Sequence, residues 1–323
     1  MKKLAIIAII LSSIAIIGQI FIFATQKENA DDLYSKALKA DYRIYAPVLP
    51  DTLYFAGERV PMETYYVREG LDRELMVNMY WQSNTLLMMK RAGRFFPTIE
   101  AILKENGVPQ DFKYLCVIES GLVNVTSPAK AQGYWQFMKT TGQSYGLTIT
   151  DEIDMRNDIE ASTRAACKFI KALHDHLGSW TAAAAAYNCG EGGLRSRLTK
   201  QGVTSYYDVR LNSETARYVY RILAIKLIFQ HPQDYGYHLR KCDLYSPIPS
   251  EEVTLSGQNV DLYQFAKNNG TTYRMLRELN PWIQTDKLVN KGGATYKVKI
   301  PKQGCTLLRN IQKERNTQLV SRL

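Results

Sequence analysis

The sequence predicts a mainly α-helical protein with three parts: an N-terminal transmembrane helix, a helical domain, and a small α+β module of βααβ order. Three observations carry this expectation. An almost unbroken apolar run fills Leu4 to Ala24. Apolar residues recur at helical spacing from about Val67 to Gln230. Residues 250–303 then read strand, helix, helix, strand.

The first run follows Lys2 and Lys3 and spans roughly 30 Å at 1.5 Å per residue, the thickness of a bilayer core. The lysines keep the start cytoplasmic and place the remainder outside. Near the end of the run Ala24 has bulky neighbours, a poor cleavage site. An uncleaved anchor over residues 1–25, in the cytoplasmic membrane and facing the wall, is therefore the first expectation. Cleavage, giving a periplasmic or outer-membrane-associated protein, is the second. The segment holds no cysteine to carry a lipid.

Residues 26–93 are expected to pack on the helical domain. They begin with a polar helical stretch, "KENADDLYSKALKADYR", and continue through the proline-bearing "IYAPVLPDTLYFAGERVP", which reads as extended structure with turns. From Val67 two or three helices follow, the last ended by Gly107 and Pro109. The main helical domain is expected over 94–234. In "DFKYLCVIESGL", Phe112, Leu115 and Cys116 share a helix face, Glu119 occupies the next position on it, and Gly121 stops the helix. Residues 122–137 read as a loop, flanked by short helices at "PTIEAILKEN" and "FMKTTGQSYG". "NDIEASTRAACKFIKALHDHLG" is a longer helix, with Asn157 as N-cap and Glu160 completing a capping box. "SWTAAAAAYNCGEGG" is a helix whose five alanines allow close approach, ended by Gly190, Gly192 and Gly193. "SETARYVYRILAIKLIFQHP" is amphipathic and capped by Ser213. A linker at 235–249, the βααβ module at 250–303 and a basic tail at 304–323 complete the chain.

The 323 residues are 46% hydrophobic and 22% charged, a globular balance rather than a disordered one. The net charge of +10 suits an anionic surface or polymer. No basic run with interleaved aromatics appears, so no nucleic-acid partner is expected. The five cysteines show no CxxC spacing, and His174 and His176 face different sides of a helix. No metal or other cofactor is expected. Cys116 and Cys167 read as core residues, and the spacing does not pair any two cysteines.

Four polar groups interrupt apolar contexts: Glu119-Ser120, Gln136 in "AQGYWQFM", Tyr187-Asn188 in "AAAYNCG", and Tyr218. Each has two readings. Glu119 either reaches water or an ion-pair partner, or is an acid whose pKa burial raises. Gln136 either ties loop backbone together or faces a ligand. Asn188 before its Cys-Gly is either a helix-end residue or part of a site, and the two tyrosines are either core aromatics or site hydroxyls.

In their order along the chain, E-S, G-x-W-Q-F-M, A-Y-N and E-T-x-x-Y-V resemble the catalytic domain of the soluble lytic transglycosylases. This is glycoside hydrolase family 23, related in fold to goose-type lysozyme. The resemblance runs from about Arg94 to Gln230. It implies a lysozyme-like helical catalytic domain, with peptidoglycan glycan strands as substrate. The bond cleaved would be the β-1,4 link between N-acetylmuramic acid and N-acetylglucosamine. By the same resemblance Glu119 would act first as acid and then as base, and the muramyl C6 hydroxyl would attack to leave a 1,6-anhydro end. Ser120 and Gln136 would hold substrate, Tyr187 and Asn188 would line the floor, and Tyr218 would orient Glu119. Tyr134 and Trp135 would stack on sugars, although Trp135 reads equally as core. Asp151, Glu152, Asp154 and Asp158 offer no obvious second carboxylate, which an internal nucleophile makes unnecessary. Two departures stand out: Lys130 in "SPAKAQG" and Cys189 after Asn188. The C-terminal module resembles a divergent lysin motif through "LRELNP" and "YKVKIP", with "GQNVDL" in place of the usual start. The rival readings are a hydrolytic muramidase with the same acid and a non-catalytic wall-binding scaffold. The sequence does not identify protein partners.

Overall fold

Residues 44–305 and residue 311 are described in the computed structural model. The expected membrane segment 1–25 and most of the tail lie outside the described residues. Among the described residues no helix is long and apolar enough to cross a membrane. The expected fold class is corrected accordingly: the described residues form a mainly helical body with a small strand-containing module and include no transmembrane helix.

Leu53–Phe55 (β1) and Glu58–Val60 (β2) form an antiparallel hairpin. Its turn is held from outside, since the Asp111 carboxylate accepts from the Ala56 N–H at 2.8 Å and pairs with Lys226 at 2.7 Å. Two helices follow, Tyr65–Tyr80 (α1) and Gln82–Glu105 (α2), broken at Trp81. The helix expected to begin at Pro97 is part of α2, which runs through the proline. Buried Met88, Met89 and Ala92 before it, and Ile99, Ile102 and Leu103 after it, keep one packed face across the lost hydrogen bond.

Phe112–Ser120 (α3) runs into the core, with Phe112, Leu115, Cys116 and Val117 buried. The short helix Lys139–Ser144 (α4) precedes Ile159–Leu177 (α5). Asp158, not Asn157, caps α5, accepting from the Ala161 N–H at 2.7 Å. Asn157 closes a 3-10 turn over Met155–Asn157 instead. Trp180–Cys189 (α6) buries all five alanines of its run and packs against α5. Gly190 ends α6, but Gly192 and Gly193 lie inside an unexpected helix, Glu191–Gln201 (α7). Ser213–Gln230 (α8) is capped by Asn212, which accepts from the Thr215 N–H at 2.9 Å, in place of the expected Ser213. It packs on α1, α3 and α6.

The C-terminal module has more strands than its βααβ reading. Ser250–Leu255 (β3) pairs antiparallel with Tyr296–Pro301 (β6). A second pair joins Val260–Asp261 (β4) to Lys287–Leu288 (β5). Leu262–Asn268 (α9) and Tyr273–Leu279 (α10) lie between. Its core gathers Leu255, Leu262, Leu276, Trp282 and Val298, and it also takes in Ile153 from the helical body. The backbones join there: Asp154 N–H donates to Trp282 O and Gln284 N–H to Glu152 O, both at 2.8 Å. The Glu152 carboxylate accepts from Asn290 N–H at 3.2 Å. Residues 235–249, expected as a linker, pack along α1 and α2: Tyr237 Oη donates to Asn78 O at 2.7 Å, and Tyr245 N–H to Lys90 O at 2.9 Å. All five cysteines are free.

Candidate active site

A cleft of about 520 Å³ opens where α3 ends. One wall is α1 and the α1–α2 break, with Glu74, Asn78 and Trp81. The adjoining wall is α8, with Glu214, Arg217 and Arg221. Glu119 and Ser120 lie between them, and Val123 and Val125 of the following loop close one end.

Glu119 reaches this place because α3 spends its apolar face on the core and then stops. Gly121 takes the left-handed conformation at φ 60°, which a glycine adopts without a Cβ penalty. The last turn of α3 therefore sits at the cleft floor, where Glu119 is half-buried. Burial raises its pKa and is the largest influence on it. A hydrogen bond from Tyr218 and the charge of Arg221 act in the opposite direction, while the charge of Glu214 adds to burial. The net displacement is upward, so burial wins. Tyr218 donates its hydroxyl hydrogen to Glu119 Oε1 and is itself 1% exposed, so it fixes the carboxyl from the core side. Arg221 is held beside it, donating to Ile118 O at 3.0 Å.

The other sequence-derived residues fall into two groups. Ser120 lines the cleft beside Glu119, and its hydroxyl ties down the helix end, donating to Cys116 O at 3.3 Å and accepting from Leu122 N–H at 3.1 Å. Tyr187 lies close enough that the charge of Glu119 adds to burial in raising its pKa, and its hydroxyl donates to Trp135 O at 2.7 Å. Asn188 bridges α6 to the start of α8, donating to Glu214 Oε1 at 3.3 Å and accepting from Thr215 Oγ1 at 3.0 Å. Neither Tyr187 nor Asn188 is among the residues bounding the cleft. Gln136 is also set back, in the left-handed region at φ 50°. Its amide donates to Gly133 O at 2.7 Å and Val125 O at 2.9 Å, so it holds the loop that carries Val125.

That loop is anchored from behind. Gly133, at φ 84°, passes so close to Arg156 that an added Cβ would lie 1.9 Å from the Arg156 carbonyl oxygen. Arg156 is buried, paired with Asp154 at 2.6 Å, and donates to Phe137 O at 3.0 Å. Trp135 is fully buried and donates to Thr163 Oγ1 at 2.9 Å, and Tyr134 is buried beside it. Both belong to the core, so neither offers a face to a ligand.

Asp151, Glu152, Asp154 and Asp158 do not bound the cleft, but Glu74 and Glu214 do. The side chain of Glu74 is 2% exposed and forms a forked pair with Arg217 at 2.6 and 3.1 Å. It was readable by the same signal as Glu119: a carboxylate on the face that buries Val67, Leu71 and Leu75. Arg217 and Arg221 carry no such signal, because lone arginines on an amphipathic helix usually face water. Among the described residues no group of three or more His, Cys, Asp or Glu side chains is placed to share a metal ion.

Residues 96–209 match the family described as Transglycosylase SLT domain. Residues 251–304 match the Soluble lytic transglycosylase C-terminal LysM-like domain. Curated relatives named Membrane-bound lytic murein transglycosylase D, from two strains of Escherichia coli, are each 30% identical over 268 residues. That alignment covers 80% of this chain and 57% of either relative, so the chain spans little more than half their length.

Proposed function

We propose that the chain is a lytic transglycosylase, a reading supported by its matches to the SLT domain and the LysM-like domain, and that it cleaves peptidoglycan glycan strands without consuming water. The bond is the β-1,4 link from N-acetylmuramic acid to N-acetylglucosamine, and the site of action is the wall, outside the cytoplasm. The observation that carries the reading is a single one: Glu119 sits in a cleft with its pKa raised by burial and its carboxyl oriented by Tyr218.

A model glutamate titrates near 4.3, roughly 3 units below neutrality, and is a poor acid at pH 7. Upward displacement enlarges the protonated fraction that a leaving sugar oxygen needs. Glu119 gives its proton to the bridging oxygen, and the C1–O bond breaks with its electrons leaving on that oxygen. The resulting Glu119 carboxylate takes the proton of the muramyl C6 hydroxyl. O6 then bonds to C1, which closes the 1,6-anhydro ring and returns Glu119 to its starting state. The nucleophile belongs to the substrate, so proximity replaces a second catalytic carboxylate. Tyr218 holds the carboxyl in one orientation through both transfers. Ser120, Tyr187, Asn188 and Gln136 maintain the cleft around it through the bonds described above. The LysM-like domain is a second point of attachment to the same polymer.

One observation favours a hydrolytic variant. Glu214 is exposed in the cleft lining and accepts from Asn188, so it is a second carboxylate on the same cleft as Glu119, the residue type that activates water in ordinary glycosidases. The primary test is Glu119→Gln assayed on purified peptidoglycan. Release of soluble fragments should fall by roughly 10² to 10⁴-fold, the range for losing a general acid. Undiminished release removes Glu119 from the reaction.

A further inference from the structure

Trp81 is the most exposed of the four tryptophans, at 59%, and it lines the same cleft as Glu119. It occupies the break between α1 and α2, at φ −91° and ψ 54°. Its backbone N–H closes α1 onto Val77 O at 3.0 Å, a bond that any non-proline residue makes. The break therefore does not require an indole. Leaving one in water forgoes the favourable burial of a large apolar surface.

The surroundings indicate what would cover it. Val77 and Val125 are also exposed and border the cleft. Asn84 adds an amide group to the same lining, whereas the Asn78 amide is buried and donates to Glu74 O at 2.8 Å. The nearby arginines are each engaged with protein acceptors: Arg91 with Gly121 O at 3.2 Å, Arg217 with Glu74, and Arg221 with Ile118 O. Arg217 is neutralised by Glu74, while Arg91 and Arg221 donate to neutral carbonyls and keep their charge. An aromatic face flanked by apolar groups and an amide fits the C–H face of a pyranose ring.

We propose that Trp81 is the platform of a sugar-binding subsite, taking one N-acetylhexosamine ring of a β-1,4-linked strand that extends along the cleft from Glu119. This rests on the glycan-cleaving reading of the cleft and adds to it a residue outside the matched 96–209 segment. Because the subsite binds a ring remote from the reacting bond, its contribution appears in affinity rather than in bond breaking.

The test uses the full-length chain carrying Glu119→Gln, titrated with β-1,4-linked N-acetylglucosamine oligomers by calorimetry and by intrinsic fluorescence. Saturable binding with a change in tryptophan emission is expected. Adding Trp81→Phe should retain most of the affinity and lose most of the emission change. Adding Trp81→Ala should weaken binding roughly tenfold, the scale of one aromatic contact, with the melting temperature unchanged. Equal affinity in the Trp81→Ala protein, or no oligomer binding by the parent protein, overturns the subsite. Cleavage of peptidoglycan by the wild-type chain is scored separately, so loss of the subsite and loss of the proposed function are told apart.

Discussion

Glu119 is subject to opposed influences of known sign, and each can be removed alone. Burial and the Glu214 charge raise its pKa, while the Tyr218 hydrogen bond and the Arg221 charge lower it. In the proposed reaction the protonated form starts the cycle, so the alkaline limb of the rate profile follows this group. Glu214→Gln should move that limb to lower pH. Tyr218→Phe should move it to higher pH while reducing the maximum rate, because orientation is lost as well. A pH–rate series on soluble glycan fragments checks both, and shifts of the same sign would contradict the account. Stability follows the same group. Its folded pKa lies above the unfolded value, so its favourable contribution is complete below the unfolded value and is lost as pH rises through the folded one. Above the folded value the desolvated charge costs stability, so the melting-temperature advantage of Glu119→Gln over wild type should grow as pH rises through that value. Below about pH 4 the difference should vanish. Glu119 was legible because it breaks an apolar stripe. Tyr218 was legible only through the order of motifs, since 99 residues separate the two partners.

The cleft walls are α1 and α8, and both lie outside the matched segment 96–209. Their connection is the Glu74–Arg217 pair, in which the carboxylate is buried and the guanidinium half-exposed. Arg217→Ala strands that carboxylate and should destabilise the fold by about 2–3 kcal/mol in denaturant titration. Replacing both partners with apolar residues should recover most of the loss, and a cycle showing no coupling would contradict the tie. Gly133→Ala drives a Cβ into the Arg156 carbonyl and should cost about 3 kcal/mol or more, with lower activity from a displaced 122–137 loop. Helix existence was legible from apolar spacing except at Glu191–Gln201 (α7), where Leu194 alone is buried. Boundaries were less so where neighbours compete for one role. Asp158 and Asn212 cap the helices expected to start at Asn157 and Ser213. Pro97 and Gly192 read as punctuation but lie inside helices. Local propensity marks such residues as breakers, and tertiary packing overrides it.

At the scale of the molecule, the C-terminal module is joined to the helical body through Ile153, Asp154 and Glu152. Asp154 also pairs with Arg156, whose carbonyl meets Gly133, so the module braces the loop bordering the cleft. Truncation after residue 249 should lower the melting temperature of the remaining body by roughly 5 °C or more, through exposure of Ile153 and loss of the bridging hydrogen bonds. An unchanged melting temperature would mean a freely tethered module. The sequence separated the two parts by pattern but not this junction, because a single buried isoleucine in a polar loop has no periodicity to mark it. The apolar run at 4–24 lies outside the described residues, and among the described residues no helix is long and apolar enough to cross a membrane. The proposed reaction depends on the muramyl C6 hydroxyl, not water, completing what Glu119 begins. Mass spectrometry of fragments released from purified peptidoglycan measures this directly. Fragments ending in 1,6-anhydromuramyl sugars, one water lighter than reducing ends, are the expected result, and fragments carrying reducing ends alone would contradict it.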